Sequence, residues 1–233
     1  MKTIGLIGGM SWESTLPYYR IINETVRDRL GSLHSAQVLL HSVDFNEIAK
    51  LQHAGEWRAA GEILARIATT LERGGAECIA LCTNTMHKVA GAIESAVNIP
   101  FLHIADATAE EILRCGARRV GLLATRFTME EDFYRERMAA HGIELVIPSE
   151  ADRSTVHRII YDELCIGRVE ASSRQTFLRV VQDLQSAGAQ GVILGCTEIS
   201  LLIGQEHVRV PVFDSTFLHA RSAADFSLGG RPS

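Results

Sequence analysis

The chain has 233 residues, a formal net charge of -5 and 46% hydrophobic residues. A chain of this length and composition can bury one substantial core or two smaller ones. The basic residues are scattered and the net charge is negative, which argues against a nucleic-acid partner because nucleic-acid binders present a basic face. The five cysteines show no C-x-x-C spacing, so no disulfide framework is expected. No segment is typical of a signal peptide or a membrane span, and we expect a cytoplasmic protein without a membrane partner.

Strands and helices alternate along the first part of the chain. A short apolar run ends at Gly8 and Gly9, which is typical of a buried strand followed by a tight turn. Helical periodicity follows, with Ser14 or Thr15 as its N-cap and Pro17 in its first turn. Alternation of this kind indicates a mainly parallel sheet with helices on both faces. The predicted elements are a strand at 3–7, a helix at 14–30, a strand at 37–43, an amphipathic helix at 55–73 and a strand at 78–82.

An internal repeat is the most informative feature of the sequence. Residues 75–85 align with residues 188–198 without a gap, and each copy consists of a helix end, a strand and a polar turn. Three matches in the same order, at a nearly constant offset, predict two similar α/β units related by a pseudo-two-fold, with a cleft between them. The other two matches pair 4–8 with 120–124 and 99–101 with 210–212.

The repeat also predicts the domain boundaries. The first α/β lobe should comprise residues 1–105, and the second should comprise residues 106–215. Residues 216–233 are expected to form a C-terminal helix and tail, for which packing on the first lobe is one option.

Two side chains occupy the same place in the two predicted units. Ligands of open parallel sheets bind outside the carboxyl ends of the strands, where Thr83 and Cys196 both lie. If the two units face one another, these side chains approach one ligand from opposite sides. Inversion at a carbon centre needs one group to remove a proton from one face and another to deliver a proton to the opposite face.

Three turns carry a resemblance to a known family. Residues 8–12 (GGMSW), 83–87 (TNTMH) and 195–198 (GCTE) resemble the signature turns of the aspartate/glutamate racemase family, and the resemblance covers essentially the whole chain. It implies an α/β fold of two pseudo-symmetric lobes, with mainly parallel sheets and the active site in the interlobe cleft. It also implies racemisation of aspartate or glutamate by two cysteines, without pyridoxal phosphate or any other cofactor.

The chain departs from that pattern at one of the two catalytic positions. Cys196 matches the second cysteine of the family, but Thr83 stands where the first is expected, with Cys82 one residue earlier. Because side chains alternate along a strand, we expect Cys82 to point into the core. A thiol whose pKa of about 8.5 is lowered by nearby dipoles can supply a base at neutral pH, whereas a threonine hydroxyl cannot do so unaided. We therefore expect catalysis that differs between enantiomers, unless His87, Glu198 or a water assists Thr83.

Backbone amides are the expected ligands of the substrate's α-carboxylate and α-amino groups. The turns at Met10, Asn84–Thr85 and Thr197–Glu198 provide such amides, although the glycines beside them could serve turn geometry alone. Thr125 and Thr128 could add donors in the second unit or act as helix N-caps.

Gln52, expected in a loop, and Arg126, expected in a turn, are candidates for binding a side-chain carboxylate. His87 is equally compatible with an ancillary acid or base and with a polar residue in the first turn of a helix. The other histidines show no metal-ligand spacing, so no metal site is expected. The chain has no complete dinucleotide-binding, Walker or nucleophile-elbow motif, so the expected partner is a small amino-acid substrate, with a homodimer as an open option.

Two other classes of function remain open. One is another reaction of the same superfold, such as hydantoin racemisation, maleate isomerisation or arylmalonate decarboxylation. The decarboxylase fits a single cysteine well because only one face needs a proton. The other is a non-catalytic amino-acid-binding protein, which, unlike an enzyme, would not exchange the α-proton with solvent.

Overall fold

The computed structural model describes residues 1–230, which form two compact units. Among the described residues, the first unit comprises Met1–Ile104 together with residues 219–230, and the second comprises Ala105–Leu218. The end of the predicted C-terminal tail, residues 231–233, lies outside the described part of the chain. Within residues 1–230, no helix has the length and apolar character needed to cross a membrane.

The first unit is built on a sheet of four parallel strands in the order β2-β1-β3-β4. The strands are β1 (Ile4–Gly8), β2 (Val38–Ser42), β3 (Cys78–Leu81) and β4 (Phe101–Leu102). Its helices are α1 (Trp12–Leu30), α2 (Phe45–Ala54), α3 (Trp57–Arg73) and α4 (Ala90–Glu94), with a 3-10 helix at Thr85–Val89.

The second unit repeats this topology, with four parallel strands in the order β6-β5-β7-β8. The strands are β5 (Arg119–Leu123), β6 (Glu144–Val146), β7 (Val192–Leu194) and β8 (Val212–Asp214). The remaining helices are α5 (Ile104–Arg114), α6 (Arg126–Glu130), α7 (Asp132–Ala140), α8 (Glu150–Asp162), α9 (Ala171–Ser186) and α10 (Ser215–Ser227), with 3-10 helices at Leu164–Ile166, Thr197–Leu201 and Gln205–His207. The predicted α/β fold of two similar units is confirmed.

Strand β3 shows how the sequence covers both faces of the first sheet. Cys78, Ala80 and Cys82 belong to one buried cluster, together with side chains of α1 and α10. Ile79 and Leu81 alternate with them and belong to a second cluster, formed with α3. This alternation confirms that Cys82 is a core residue, and burial raises the pKa of its thiol.

The start of α1 differs from the prediction. The helix begins at Trp12 after the N-cap residue Ser11, so neither Ser14 nor Thr15 is its N-cap. Both side chains are instead buried, and their hydroxyls bond the backbone of the preceding turn. Pro17 consequently lies in the second turn of the helix instead of the first.

Helix α2 was not predicted. Asp44 caps it through a hydrogen bond from the amide of Asn46, and Gly55 ends it in a left-handed conformation at φ 71°. The predicted long helix therefore begins at Trp57. Gln52, expected in a loop, lies on α2.

Candidate active site

Each unit ends its third strand with a polar turn that leads into a 3-10 helix. Strand β3 is followed by Cys82, Thr83 and Asn84, which precede the 3-10 helix Thr85–Val89. Strand β7 is followed by Gly195 and Cys196, which precede the 3-10 helix Thr197–Leu201. The repeat in the sequence is therefore a repeat of local structure at the carboxyl ends of corresponding strands, where ligands of parallel sheets bind.

The turn after β1 needs glycine for structural reasons. Gly9 has φ 93°, and a Cβ there would lie 2.3 Å from the carbonyl oxygen of Val43. The amide of Gly9 donates to Thr15 Oγ1 at 2.8 Å, and this hydroxyl donates to the carbonyl of Ser11 at 3.2 Å. Turn geometry therefore accounts for this glycine, and Met10 beside it is buried against the α3 side of the sheet.

Ser14 connects this turn to the end of β3. Its hydroxyl lies 2.7 Å from the carbonyl oxygen of Ser11 and 3.2 Å from that of Cys82. The peptide group between Cys82 and Thr83 is thereby held at both its atoms, since the amide of Thr83 also donates to the carbonyl of Leu81 at 2.8 Å. Thr83 is half-buried between buried neighbours, and within residues 1–230 its hydroxyl makes no hydrogen bond, so it is available to a ligand.

His87 holds the Thr83 turn and is not poised as an acid or base. Its Nδ1 donates to the carbonyl of Thr83 at 2.7 Å, and its Nε2 accepts from the amide of Ile104 at 3.2 Å. Both ring nitrogens are thus engaged by backbone, which defines the neutral tautomer. Burial lowers the pKa of His87 well below its usual value, and His103 and His219 lower it further. Of the two sequence interpretations, the structure favours the structural one.

Gln52 contributes an unsatisfied buried acceptor. The residue is 4% exposed, and its Nε2 donates to the thioether sulfur of Met86 at 2.9 Å. Among the described residues, its Oε1 has no hydrogen-bond partner. A buried amide oxygen without a donor costs free energy, so this atom is suited to a ligand that donates a hydrogen bond.

The second-unit turn places a thiol next to a carboxylate. Gly195 has no room for a side chain, because a Cβ there would lie 2.9 Å from Leu122 Cδ1 and 3.0 Å from Ala124 Cβ. Cys196 follows in an extended conformation and is partly buried. Its Sγ donates to Glu198 Oε2 at 3.0 Å.

Glu198 is the acceptor at the centre of this turn. It is 4% exposed, and its Oε2 also accepts from the hydroxyl of Thr197. Its Oε1 accepts from the thiol of Cys165, with a sulfur–oxygen distance of 3.7 Å. The pKa of Tyr161 on α8 is raised, and burial is the largest cause. The charges of Cys196, Cys165 and Glu198 raise it further. We refer to Tyr161, Cys165, Cys196, Thr197 and Glu198 as the Glu198 cluster.

Cys196 rests as a neutral thiol. Burial raises its pKa well above the usual value, and the negative charge of Glu198 raises it further. This is the opposite of the sequence-based expectation, a pKa lowered by nearby dipoles. No sequence motif shows that the carboxylate of Glu198, two residues later, contacts the sulfur of Cys196. The pKa of Cys165 is raised by the same two causes, burial and Glu198.

Cys165 and Tyr161 were not predicted from the sequence. They lie on the 3-10 helix Leu164–Ile166 and at the end of α8, more than thirty residues before Cys196 in the chain. The only sequence signal was one of five unpaired cysteines, which has the same appearance as a structural thiol.

Thr125, Thr128 and Arg126 lie at the turn after β5. Thr125 is the N-cap residue of α6 but makes no capping hydrogen bond with its side chain, and its hydroxyl lies 3.3 Å from that of Thr128. Arg126 is exposed, and its guanidinium pairs with Glu130 at 3.3 Å. The predicted roles of Thr125 and Arg126 in substrate binding stay predictions.

Comparison with known proteins assigns the chain to a family. Residues 7–223 match the Asp/Glu/hydantoin racemase family. The crystal structure of a Yersinia pestis protein assigned to the Asp/Glu racemases is similar, with 54% identity, a TM-score of 0.93 and coverage of 98% of this chain and 100% of that one. A Pyrococcus horikoshii homologue of aspartate racemase has 39% identity and a TM-score of 0.87, over 98% of this chain and 100% of that one. The broad-specificity amino-acid racemase RacX of Bacillus subtilis is 23% identical over 232 residues, which cover 94% of this chain and 95% of RacX.

The fold, the two turns and these relatives define an isomerase of the amino-acid racemase class. The chain belongs to the Asp/Glu/hydantoin racemase family.

Proposed function

We propose that this protein racemises an acidic amino acid, aspartate or glutamate, with Cys196 as the thiol that removes and returns the α-proton. The hydrogen bond between Cys196 Sγ and Glu198 Oε2 carries this proposal, because it gives a partly buried thiol an acceptor at the end of a parallel strand. Family membership and the aspartate racemase homologue of P. horikoshii support the acidic substrate.

Thr83 takes the position in the first unit that Cys196 takes in the second. Its hydroxyl can donate a hydrogen bond or relay a proton, but it cannot supply a strong base at neutral pH. The reaction is therefore expected to differ between enantiomers in its individual steps. That the substrate lies between the two units stays a prediction.

Substrate binding is proposed for polar groups in the turns. Backbone amides near Met10, Asn84–Thr85 and Thr197 bind the α-carboxylate, since amides at strand-to-helix turns form anion sites. Gln52 Oε1 accepts from the α-ammonium group, which is a change from the sequence-based assignment of Gln52 to the side-chain carboxylate. Thr125 adds a hydroxyl donor. The predicted contribution of Glu198 is its backbone amide, which stays part of this proposal, while its carboxylate is engaged within the Glu198 cluster.

The proposed chemistry needs no cofactor, because a thiolate can remove the α-proton directly. The carbanion that forms is stabilised as an enediolate by the amides on the carboxylate. We propose a cytoplasmic enzyme whose partner is its small-molecule substrate, and a homodimer stays a prediction.

Replacing Cys196 by alanine tests the proposal. Cys196→Ala should abolish racemisation of both enantiomers and leave the fold intact, because the change removes only a sulfur atom at a strand end. Chiral chromatography after incubation with each enantiomer of aspartate and glutamate measures the loss. Cys115→Ala is the matched control, since Cys115 is an exposed cysteine outside the turns. If Cys196→Ala kept more than a few per cent of the wild-type turnover, Cys196 would not be the acid/base group.

A further inference from the structure

We propose that Glu198 is the proton acceptor of Cys196 and that Cys165 positions it for this task; the inference rests on the racemase function proposed above. Glu198 does not touch the reacting carbon in this account, so it acts through the sulfur of Cys196. Cys165 acts one step further away, through the carboxylate of Glu198.

The contacts of the carboxylate divide between its two oxygens. Oε2 accepts from Cys196 at 3.0 Å and from the hydroxyl of Thr197. Oε1 accepts from Cys165 at 3.7 Å. Donors on both oxygens restrict rotation of the carboxylate, so Oε2 stays directed at the sulfur of Cys196. Because Cys165 lies on a separate 3-10 helix, it holds Glu198 from outside the Gly195–Glu198 turn.

The charge balance of the pair favours an internal proton transfer. Before the transfer, Cys196 is a neutral thiol and Glu198 is a carboxylate, so the pair carries one negative charge. After the transfer, Cys196 is a thiolate and Glu198 is a neutral carboxylic acid, so the total charge is unchanged. Losing the thiol proton to solvent would instead leave two negative charges in a buried site, which burial strongly disfavours. The raised pKa of Cys196 agrees with this cost. The thiolate therefore forms at the lowest cost when Glu198 takes the proton.

The proton balance is as follows. The S–H bond of Cys196 breaks and an O–H bond forms on Glu198, which leaves a thiolate. The thiolate then takes the α-proton of the substrate, so that an S–H bond forms while the C–H electron pair stays on the substrate as an enediolate. A proton from the opposite face completes the inversion. Glu198 afterwards releases its proton to water, and water restores the proton of the opposite-face donor.

The variant Glu198→Gln distinguishes two effects of the Glu198 carboxylate on Cys196: acceptance of the thiol proton and repulsion of the thiolate. Glutamine removes the negative charge, so the pH midpoint for alkylation of Cys196 by iodoacetamide, followed by mass spectrometry, should fall. A carboxylate that only repelled the thiolate would then have been inhibitory, and its removal should accelerate exchange of the substrate α-proton in D2O. The proton-acceptor role predicts the reverse, a loss of about 100-fold or more at neutral pH.

The pH profile gives a second readout. In Glu198→Gln the remaining exchange should rise with pH in step with thiol ionisation, whereas the wild-type profile should be flat across that range. Glu198→Asp keeps a proton acceptor and should recover part of the exchange and the flat profile. If the Glu198→Gln variant does not fold, the test rests on the folded Glu198→Asp variant. A rate of α-proton exchange that rises with thiol ionisation in Glu198→Asp would overturn the inference. Exchange by folded Glu198→Gln at or above the wild-type rate also overturns it.

The positioning role of Cys165 is tested with a matched pair. Cys165→Ala removes the donor to Oε1, and we expect a several-fold loss in kcat with little change in KM; Cys165→Ser keeps a donor and should retain most activity. The exposed Cys115, whose Sγ lies 3.8 Å from Glu111 Oε1, provides a control thiol–carboxylate pair, and Cys115→Ala should change neither value. Equal losses in Cys165→Ala and Cys165→Ser would overturn the positioning role. Absence of exchange in the wild-type enzyme would refute the proposed function instead, whereas wild-type exchange that is unaffected in Glu198→Gln would refute only this inference.

Discussion

Two neighbouring residues just after β3 differ in their burial. Cys82 is fully buried in the core, whereas Thr83 is half-buried with a hydroxyl open to a ligand. Cys82 shares its buried cluster with Cys78 and Ala80 of β3 and so continues the alternation of the strand, whereas Thr83 lies in the turn that follows. A cysteine one position away from the family's catalytic position therefore cannot replace it without a shift of the strand.

Cys82→Ala should cost stability but little activity. The change removes a buried sulfur from the cluster between β3, α1 and α10, and we expect a loss of about 1 kcal/mol in the free energy of unfolding. Denaturant unfolding measures the stability, and racemisation assays on the same preparation measure turnover. A loss of turnover comparable to that of Cys196→Ala would mean that Cys82, and not Thr83, meets the substrate.

Helices α1 and α2 and the 3-10 helices carry the groups that contact the turns. The sheet fixes where Thr83 and Cys196 lie, but Ser14, Gln52 and Cys165 come from elements outside the signature turns. Gln52 on α2 and His87 on the 3-10 helix Thr85–Val89 are both buried and polar, but they differ in whether their hydrogen bonds are satisfied within the protein. The hydrogen bonds of His87 are complete, whereas Gln52 keeps an unmatched acceptor.

We expect Gln52→Leu to weaken substrate binding and to leave the stability of the protein equal or higher. Leucine removes a buried amide oxygen without a donor, so the variant should unfold at an equal or higher denaturant concentration than the wild type. The same change removes the proposed acceptor for the α-ammonium group, and KM should rise by about tenfold or more, in line with the cost of a lost hydrogen bond to a charged group. Unchanged KM would exclude Gln52 from substrate binding.

His87 should make the protein less stable in mild acid. Its folded-state pKa lies well below the unfolded value of about 6.5, so the unfolded chain binds a proton first as the pH falls. The stability is fully present above about pH 6.5 and is lost below it, by up to about 1.4 kcal/mol per pH unit for this one group. Unfolding curves of wild type and His87→Gln at a series of pH values measure the effect. An identical pH dependence in both proteins would contradict the assignment of a neutral, backbone-bonded His87.

Two units of the same strand order have diverged in the chemistry of their equivalent turns. The first unit presents a hydroxyl on a turn whose backbone carbonyl is bonded by a histidine. The second presents a thiol bonded to a carboxylate that also accepts from a second thiol. This difference is the basis for expecting unequal steps from the two enantiomers. Family membership alone does not provide it, because it depends on the residues that this chain carries at 83 and 198.

The local patterns in the sequence predicted much of this arrangement. The repeat predicted two similar α/β units, and strand alternation predicted the burial of Cys82; both are confirmed. Helix α2 was missed because it spans only ten residues, although Asp44 and Gly55 at its ends are residues that commonly cap helices. Cys165 was missed because contact with Glu198 depends on how α8 and its following 3-10 helix pack, and no fixed spacing in the sequence encodes that packing.

Wash-in of solvent deuterium is the most direct test of the central claim that one thiol, Cys196, performs the proton transfer in a racemase. Each enantiomer of aspartate and glutamate is incubated with the wild-type enzyme in D2O, and α-deuterium is measured separately in recovered substrate and in inverted product. The equilibrium constant between enantiomers is one, so kcat/KM must be equal in the two directions, and the asymmetry can appear only in kcat and KM separately or in exchange without turnover. We expect deuterium in the inverted product from both enantiomers, and faster wash-in with retention for the one whose α-proton meets Cys196. No exchange with either amino acid, or equal retained exchange from both enantiomers, would contradict the account.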